Sequence, residues 1–236
     1  MAETAGVPVG RRVVLGMIGL GAAGVVFGSR VQDLLERALA PLTARDGTGL
    51  SSLLPVGRFR IYSVTGQLPA RTEADYRLSV AGAVERPVDI GFAELKGMPV
   101  TRLTRDFQCV TGWRVRDVAW TGVRVTDLLD RAGARPGAAG VRFLSFDGLY
   151  TESLTMEQAR RDDVVMAYEL EGKPLSTAHG GPVRLYVAPM YGYKSAKWVD
   201  RIEVTEGEPP PGYWATRGYD QEAWVGRSNG RDDDAT

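Results

Sequence analysis

The chain has 236 residues, 44% apolar and 25% charged, which suits one globular domain with roughly fifty residues to spare. Its 29 basic and 29 acidic residues balance, so no global field draws it to nucleic acid or to an anionic membrane surface. A single cysteine excludes an internal disulfide, a CxxC redox pair and a four-cysteine zinc cage, and 13 prolines with 29 glycines argue against a helical bundle.

In chain order, Arg11-Arg12 precede an uncharged run from Val13 to Gly28. That run is near the upper end of a signal-peptide core and short of the about 20 residues that span a bilayer. Paired arginines before a Gly-rich, modestly hydrophobic segment resemble a twin-arginine export signal, although Gly10 and Val14 depart from its usual flanks. A plain membrane anchor with basic flanks fits the same residues. Residues 1–30 are expected to be one or the other, and both place the domain outside the cytoplasm. Val31, Leu34, Leu35, Ala38, Leu39 and Leu42 then repeat at helical spacing, and residues 43–57 are small and polar. We read 31–58 as an amphipathic segment and linker, with an uncleaved anchor leading into it.

The folded domain is expected over residues 59–208. Arg77–Gly82 alternates as a strand, Pro87–Ile90 follows a turn, and a short helix starts at Gly91 and ends near Met98. The β-rich stretch 100–110 runs into Cys109. Val125–Ala132 fits a helix stopped by Gly133. Val141–Phe146 reads as a strand, and Ser153–Ala159 as a short helix capped by Ser153 or Thr155. Val164–Leu170, Val183–Ala188 and Trp198–Val204 read as strands. Many short strands with few short helices suggest an α+β fold. Residues 209–236 form a tail too aromatic for disorder, with Tyr213, Trp214, Tyr219 and Trp224; it is expected to pack on the domain, and Arg231–Asp234 to fray.

Three blocks carry the chemistry. The first is Asp106-Phe107-Gln108-Cys109-Val110-Thr111-Gly112-Trp113. The second is His179-Gly180-Gly181-Pro182-Val183-Arg184. The third is Met190-Tyr191-Gly192-Tyr193-Lys194-Ser195-Ala196-Lys197-Trp198. A lone cysteine acts as a nucleophile or holds a soft metal. As a nucleophile it needs a base, and His179 is the only histidine. The Gly-rich, cationic second and third blocks suit an anionic cofactor.

In this order, over roughly residues 59–208, the blocks are similar to those of the sulfite oxidase-type molybdopterin family. That family includes sulfite oxidases and an exported reductase that repairs methionine sulfoxide. The resemblance implies an α+β fold with mixed β-sheets and short helices. It implies that molybdenum-molybdopterin binds and that Cys109 is the protein's only ligand to the metal, at the catalytic centre. Arg184 would grip the pterin phosphate in bidentate fashion, with Lys197 as a second cation and the Ser195 and Ala196 backbone N–H groups aimed at phosphate oxygens. His179 would hydrogen-bond the cofactor. Tyr62 and Ser63 lie in the segment that covers the pterin, and Arg114 and Tyr191 are weaker candidates for substrate contact. Trp113 and Trp120 read as either core or substrate wall, and Tyr193 as either pocket lining or packing.

Departures from the family pattern narrow the activity. Thr65-Gly66-Gln67 stands before Leu68-Pro69 where sulfite oxidases carry Arg-Asn-His, and Val110-Thr111-Gly112-Trp113 replaces Ala-Gly-Asn-Arg. A dianionic substrate wants several cations, so sulfite is demoted and sulfoxide reduction slightly favoured. The sulfoxide reductases differ too, with Asn at the position of His179 and Thr near Gly148. With no C-x-x-C-H and one histidine, haem is not expected in this chain. Electrons would then pass to or from a separate protein, a membrane haem subunit or a cytochrome, while the substrate is a small molecule. The rival reading is a cofactor-free, membrane-anchored binding module with Cys109 buried.

Overall fold

The computed structural model describes residues 59–227, so the expectations on residues 1–58 and 231–234 lie outside the described residues. Two five-stranded sheets organise these residues. The first runs β2 (Val88–Gly91), β1 (Arg77–Gly82), β10 (Val199–Thr205), β5 (Gly140–Ser145) and β6 (Thr151–Thr155). Only the β1–β10 pair in it is parallel. The second runs β3 (Thr101–Gln108), β4 (Arg114–Arg124), β7 (Val164–Leu170) and β8 (Lys173–Pro174), with β9 (Arg184–Val187) also paired to β7. The short helices are α1 (Phe92–Lys96), α2 (Val125–Ala132) and α3 (Met156–Ala159). The sheets are mixed and the helices few, in agreement with the α+β expectation.

Local sequence explains most elements. In α2, Val125, Leu128, Leu129 and Ala132 are buried at the i, i+3, i+4 and i+7 spacing of one helical face. Asp127 in its first turn and Arg131 in its last complement the helix dipole, and Gly133 ends it at φ 67°. Leu128 and Leu129 are fully buried, each stabilising by about 1.5–3 kcal/mol. Helix α3 begins in a capping box: the Thr155 hydroxyl accepts from Gln158 N–H, and the Gln158 side chain accepts from Thr155 N–H. The helix is shorter than expected. Ser153 and Leu154 belong to β6 and pair with Arg142 and Val141, because the cap at Thr155 fixes the start.

Strand β4 is the longest, and its alternation is broken twice. The pairing with β3 shifts between Arg105 and Phe107, and Asp117 adopts φ 50° opposite that shift, its N–H bonded to Asp106 Oδ1 at 2.9 Å. The pairing with β7 shifts again beside Gly122, where a Cβ would lie 2.3 Å from Met166 O. A glycine is required there for the two backbones to approach.

The larger hydrophobic cluster draws Leu78, Val80, Val123, Leu128, Phe143, Leu185 and Ile202 from both sheets and α2. A smaller one gathers Phe107, Trp113, Val118, Trp120, Val165, Ala167 and Tyr186 on the second sheet. The segment after β10 returns to the domain: Tyr213 N–H donates to Thr151 O at 2.8 Å, Tyr191 N–H to Ala223 O at 2.9 Å, and Val225 N–H to Pro189 O at 3.1 Å.

Candidate active site

Cys109 follows directly on β3, in a tight turn that leads to β4. Its N–H donates to Trp113 O at 2.8 Å, and Gly112 N–H donates to Cys109 O at 3.0 Å. Gly112 sits at φ 98°, where other residues are strained. The turn leaves the Cys109 side chain half-buried, with Sγ 3.2 Å from Thr111 Oγ1.

The second block turns around Ser176. Its backbone carbonyl accepts from His179 N–H at 3.0 Å, and its hydroxyl lies 2.9 Å from His179 Nδ1. Phe59 meets the imidazole edge-on at 5.1 Å. Arg184 opens β9 and is 4% exposed; its two terminal nitrogens donate to His179 O and Ser195 O, both at 2.8 Å. One guanidinium thus ties the second block to the third. Ser195 Oγ accepts from Val187 N–H at 3.0 Å, and Lys197 Nζ donates to Tyr62 O and to Ala178 O. In the third block Gly192 is obligatory, since a Cβ there would lie 2.5 Å from the Phe107 ring.

These blocks enclose a cavity of about 490 Å³. Cys109, Val110, Thr111 and Trp113 line it together with His179, Arg184, Ser195 and Lys197. Phe59 to Val64 cover it, and Tyr213, Trp214 and Tyr219 form a wall from the returning segment. Under that wall, Lys194 and Glu152 make a buried ion pair at 2.7 Å, each 1% exposed. Burial raises the Glu152 carboxyl pKa, and Lys194 only partly opposes this. A second depression, beside Glu94, Asp127, Asp130 and Arg131, is ringed by charges already paired with one another or with Arg124 and Arg160.

The electrostatics of the cavity call for an anion. Burial, then Arg184, push the Lys197 amine down to about 8, and burial pushes Arg184 down to about 10. His179 is held below its ordinary value by burial first, then by Arg184 and Lys197. Neither Arg184 nor Lys197 pairs with a carboxylate among the described residues; backbone carbonyls accept from both. At the same cavity, Asp147 accepts from Leu149 N–H and Tyr150 N–H through Oδ1, while its buried Oδ2 has no partner. A phosphate-bearing pterin fits both needs, with the phosphate for the cations and ring N–H groups for Asp147.

Of the residues expected from sequence, Tyr62, Ser63, Cys109, His179, Arg184, Ser195 and Lys197 line this one cavity. Ala196 is buried in the core behind it, with its carbonyl accepting from Leu185 N–H at 2.8 Å. Tyr191 is also buried, outside the lining. Arg114 is outside it too, turned towards Gln108 and Asp106, with 3.6 Å to the Asp106 carboxylate. Sequence reasoning missed Asp147 and Tyr150. Asp147-Gly148 reads as an ordinary turn, and nothing local separates a turn aspartate from a cavity carboxylate. Tyr150 donates to Tyr193 O and lines the cavity through a contact 43 residues apart in sequence.

Comparison with known proteins places this architecture. The model of the oxidoreductase molybdopterin-binding domain matches residues 65–214, which is more than half of the chain. An uncharacterised oxidoreductase of Bacillus subtilis (strain 168), YuiH, is 34% identical over 156 residues, covering 66% of this chain and 78% of that one. The protein-methionine-sulfoxide reductase catalytic subunit MsrP of Xanthomonas campestris pv. campestris is 29% identical over 187 residues, 71% of this chain and 58% of MsrP. Sulfite oxidase of Arabidopsis thaliana is 28% identical over 178 residues, 61% of this chain and 45% of that enzyme. The crystal structure of the sulfane dehydrogenase SoxCD from Paracoccus pantotrophus superposes with a TM-score of 0.55 at 26% identity, over 60% of this chain and 41% of that one. The chain therefore belongs to the sulfite oxidase-type molybdopterin-binding oxidoreductases and is an enzyme.

Proposed function

We propose that this enzyme acts outside the cytoplasm and transfers an oxygen atom, with two electrons, to or from a small sulfur- or nitrogen-oxide, sulfoxide reduction being favoured over sulfite oxidation. One observation carries the preference. The cavity that Cys109 lines is walled by Tyr62, Trp113, Tyr150, Tyr213, Trp214 and Tyr219, and its cations are the buried Arg184, the half-buried Lys197 and the exposed Arg60. Aromatic walls favour a neutral sulfur compound with organic substituents over a dianion. The similarity to MsrP points the same way. Arg11-Arg12 and the apolar run behind them support the location, and a separate haem subunit or cytochrome would exchange the electrons.

Bound here, the molybdenum-pterin supplies a two-electron redox centre able to take up or release an oxygen atom. The chain's residues do the rest. Cys109 offers a thiolate to the metal, in a turn fixed by its own backbone bonds. Arg184, Lys197 and the third-block turn hold the phosphate, and Asp147 the ring edge. The aromatic walls orient the substrate and exclude water. Reducing a sulfoxide to the corresponding sulfide and water consumes two electrons and two protons. The Tyr150 and Tyr193 hydroxyls donate to Tyr193 O and Asp220 O. Among the described residues the Tyr62, Tyr213 and Tyr219 hydroxyls of the cavity lining make no hydrogen bond, and a proton for the departing oxygen would come from one of them.

The test uses full-length, cofactor-loaded enzyme. Reduced viologen should be oxidised on addition of methionine sulfoxide or dimethyl sulfoxide, faster than ferricyanide is reduced by sulfite. Faster sulfite oxidation would reverse the assignment.

A further inference from the structure

Trp198 has a backbone that a bulky residue avoids: φ is 56°, in the left-handed region. Such a conformation persists only where its surroundings over-determine it. Here they do. Its N–H donates to Gly180 O at 3.1 Å, its carbonyl accepts from Phe146 N–H at 2.8 Å, and its indole Nε1 donates to Thr177 O at 2.8 Å. The side chain is 2% exposed. One residue thereby fastens the turn that carries His179 and the strand end that leads to Asp147. The Lys197 ammonium lies 4.2 Å from the centroid of the same indole. Directly after Trp198, β10 begins and its pairing with β5 slips between Val199 and Arg201. Trp198 is therefore the point where the chain turns from cavity wall into sheet. Gly180 completes the arrangement, since a Cβ there would come within 2.8 Å of Lys197 Cβ and Cγ.

We propose that Trp198 is the positioning residue of the cavity's cationic wall: its left-handed backbone and its indole face together fix the Lys197 ammonium against the His179 turn. In doing so they set the grip on the anionic end of the pterin. This role rests on the reading that the cavity takes the pterin. Burial and Arg184 weaken the charged form of Lys197, and the indole face offsets part of that loss.

The experiment compares full-length Trp198→Asn, Trp198→Phe, Gly180→Ala and Lys197→Met, expressed in a host that makes molybdopterin. Two readouts are taken: pterin and molybdenum per chain, and the pH profile of Lys197 modification by an amine reagent on pterin-free protein. Asparagine accepts the left-handed backbone but removes the ring. Trp198→Asn should lower pterin retention about tenfold, close to Lys197→Met, and move the Lys197 profile to lower pH, further from that of an ordinary lysine, because the ring that favours the charged form is gone. Gly180→Ala, which crowds the Lys197 stem and strains a backbone at φ 99° while leaving the indole in place, should shift the same profile. Trp198→Phe keeps a ring over the ammonium and should retain most of the pterin. A wild-type Lys197 profile in both Trp198→Asn and Gly180→Ala overturns the proposal. So do equal pterin losses in Trp198→Phe and Trp198→Asn with an unmoved profile, which would make Trp198 a packing residue only. If Trp198→Asn does not fold, Gly180→Ala and Trp198→Phe decide. If the wild type takes up no pterin, the functional reading fails, and the Lys197 profile still decides the role of Trp198.

Discussion

The larger hydrophobic cluster is mainly aliphatic: Leu78, Val80, Leu128, Leu129 and Ile202 come from elements whose spacing alone puts them inside. The smaller cluster, beside the cavity, is built of rings. Trp120 stacks on Tyr186 at 4.2 Å, Phe107 stacks on Trp113 at 5.8 Å, and Phe59 packs against Phe107 at 5.2 Å. The aliphatic cluster is packed from strand and helix faces that follow simple alternation or helical spacing, as in β1 and α2. The aromatic one is assembled across register shifts and tight turns, keeps a buried indole N–H on Trp113 without a partner, and supports a buried arginine that no carboxylate neutralises. Stability and binding are thus divided between neighbouring regions, and a substitution should report on one more than the other.

The largest effect on folding belongs to the aliphatic region. Leu128→Ala should lower stability by about 2–5 kcal/mol in chemical denaturation, while the chains that fold load pterin as the wild type does. A matching loss of loading per folded chain would break the division. The converse variant is Arg184→Met. Removing a charged donor from a phosphate costs about 1.5–3 kcal/mol, so pterin retention should fall about 10- to 100-fold in protein that still unfolds cooperatively. Next is Trp113→Phe, where no indole hydrogen bond is lost: about 1–2 kcal/mol from lost volume, measured by thermal unfolding. A larger cost would mean that the N–H is bonded after all.

The smallest effect is a pH dependence. In the folded, pterin-free chain Lys197 gives up its proton at about 8, whereas the ordinary value is 10.5. The unfolded chain therefore binds more protons between these values, and this group's contribution makes stability rise with pH across that window. Its attraction for anions follows the opposite course. Inorganic phosphate binding to the pterin-free protein should weaken a few-fold as pH rises through about 8, and Lys197→Met should flatten that profile.

The sequence showed the aliphatic region better than the aromatic one, and the reason is range. Strand β1 and helix α2 follow from local alternation and helical spacing, with Gly133 as a visible stop. Strand β4 did not, because the bulge at Asp117 resets its period and no window of consecutive residues keeps one phase. At the site, Cys109, His179, Arg184 and Lys197 stand in compact blocks whose composition already suggests an anion and a soft metal. Asp147 and Tyr150 reach the cavity only through the pairing of β5 and β6 beside β10, which local spacing does not encode. Arg114 reads as a substrate cation when only its nearness to Cys109 is known. In space it faces Asp106 and Gln108, because β4 runs antiparallel to β3 and lays it beside them.

The central claim is that Cys109 holds the metal of a pterin bound in this cavity. The most direct measurement is molybdenum and pterin per chain, together with oxygen-transfer activity, in full-length wild type and Cys109→Ala from a cofactor-producing host. The account predicts roughly one of each per wild-type chain, and loss of metal retention and activity in the variant. A variant that keeps both, or a wild type that holds neither metal nor pterin, would contradict it.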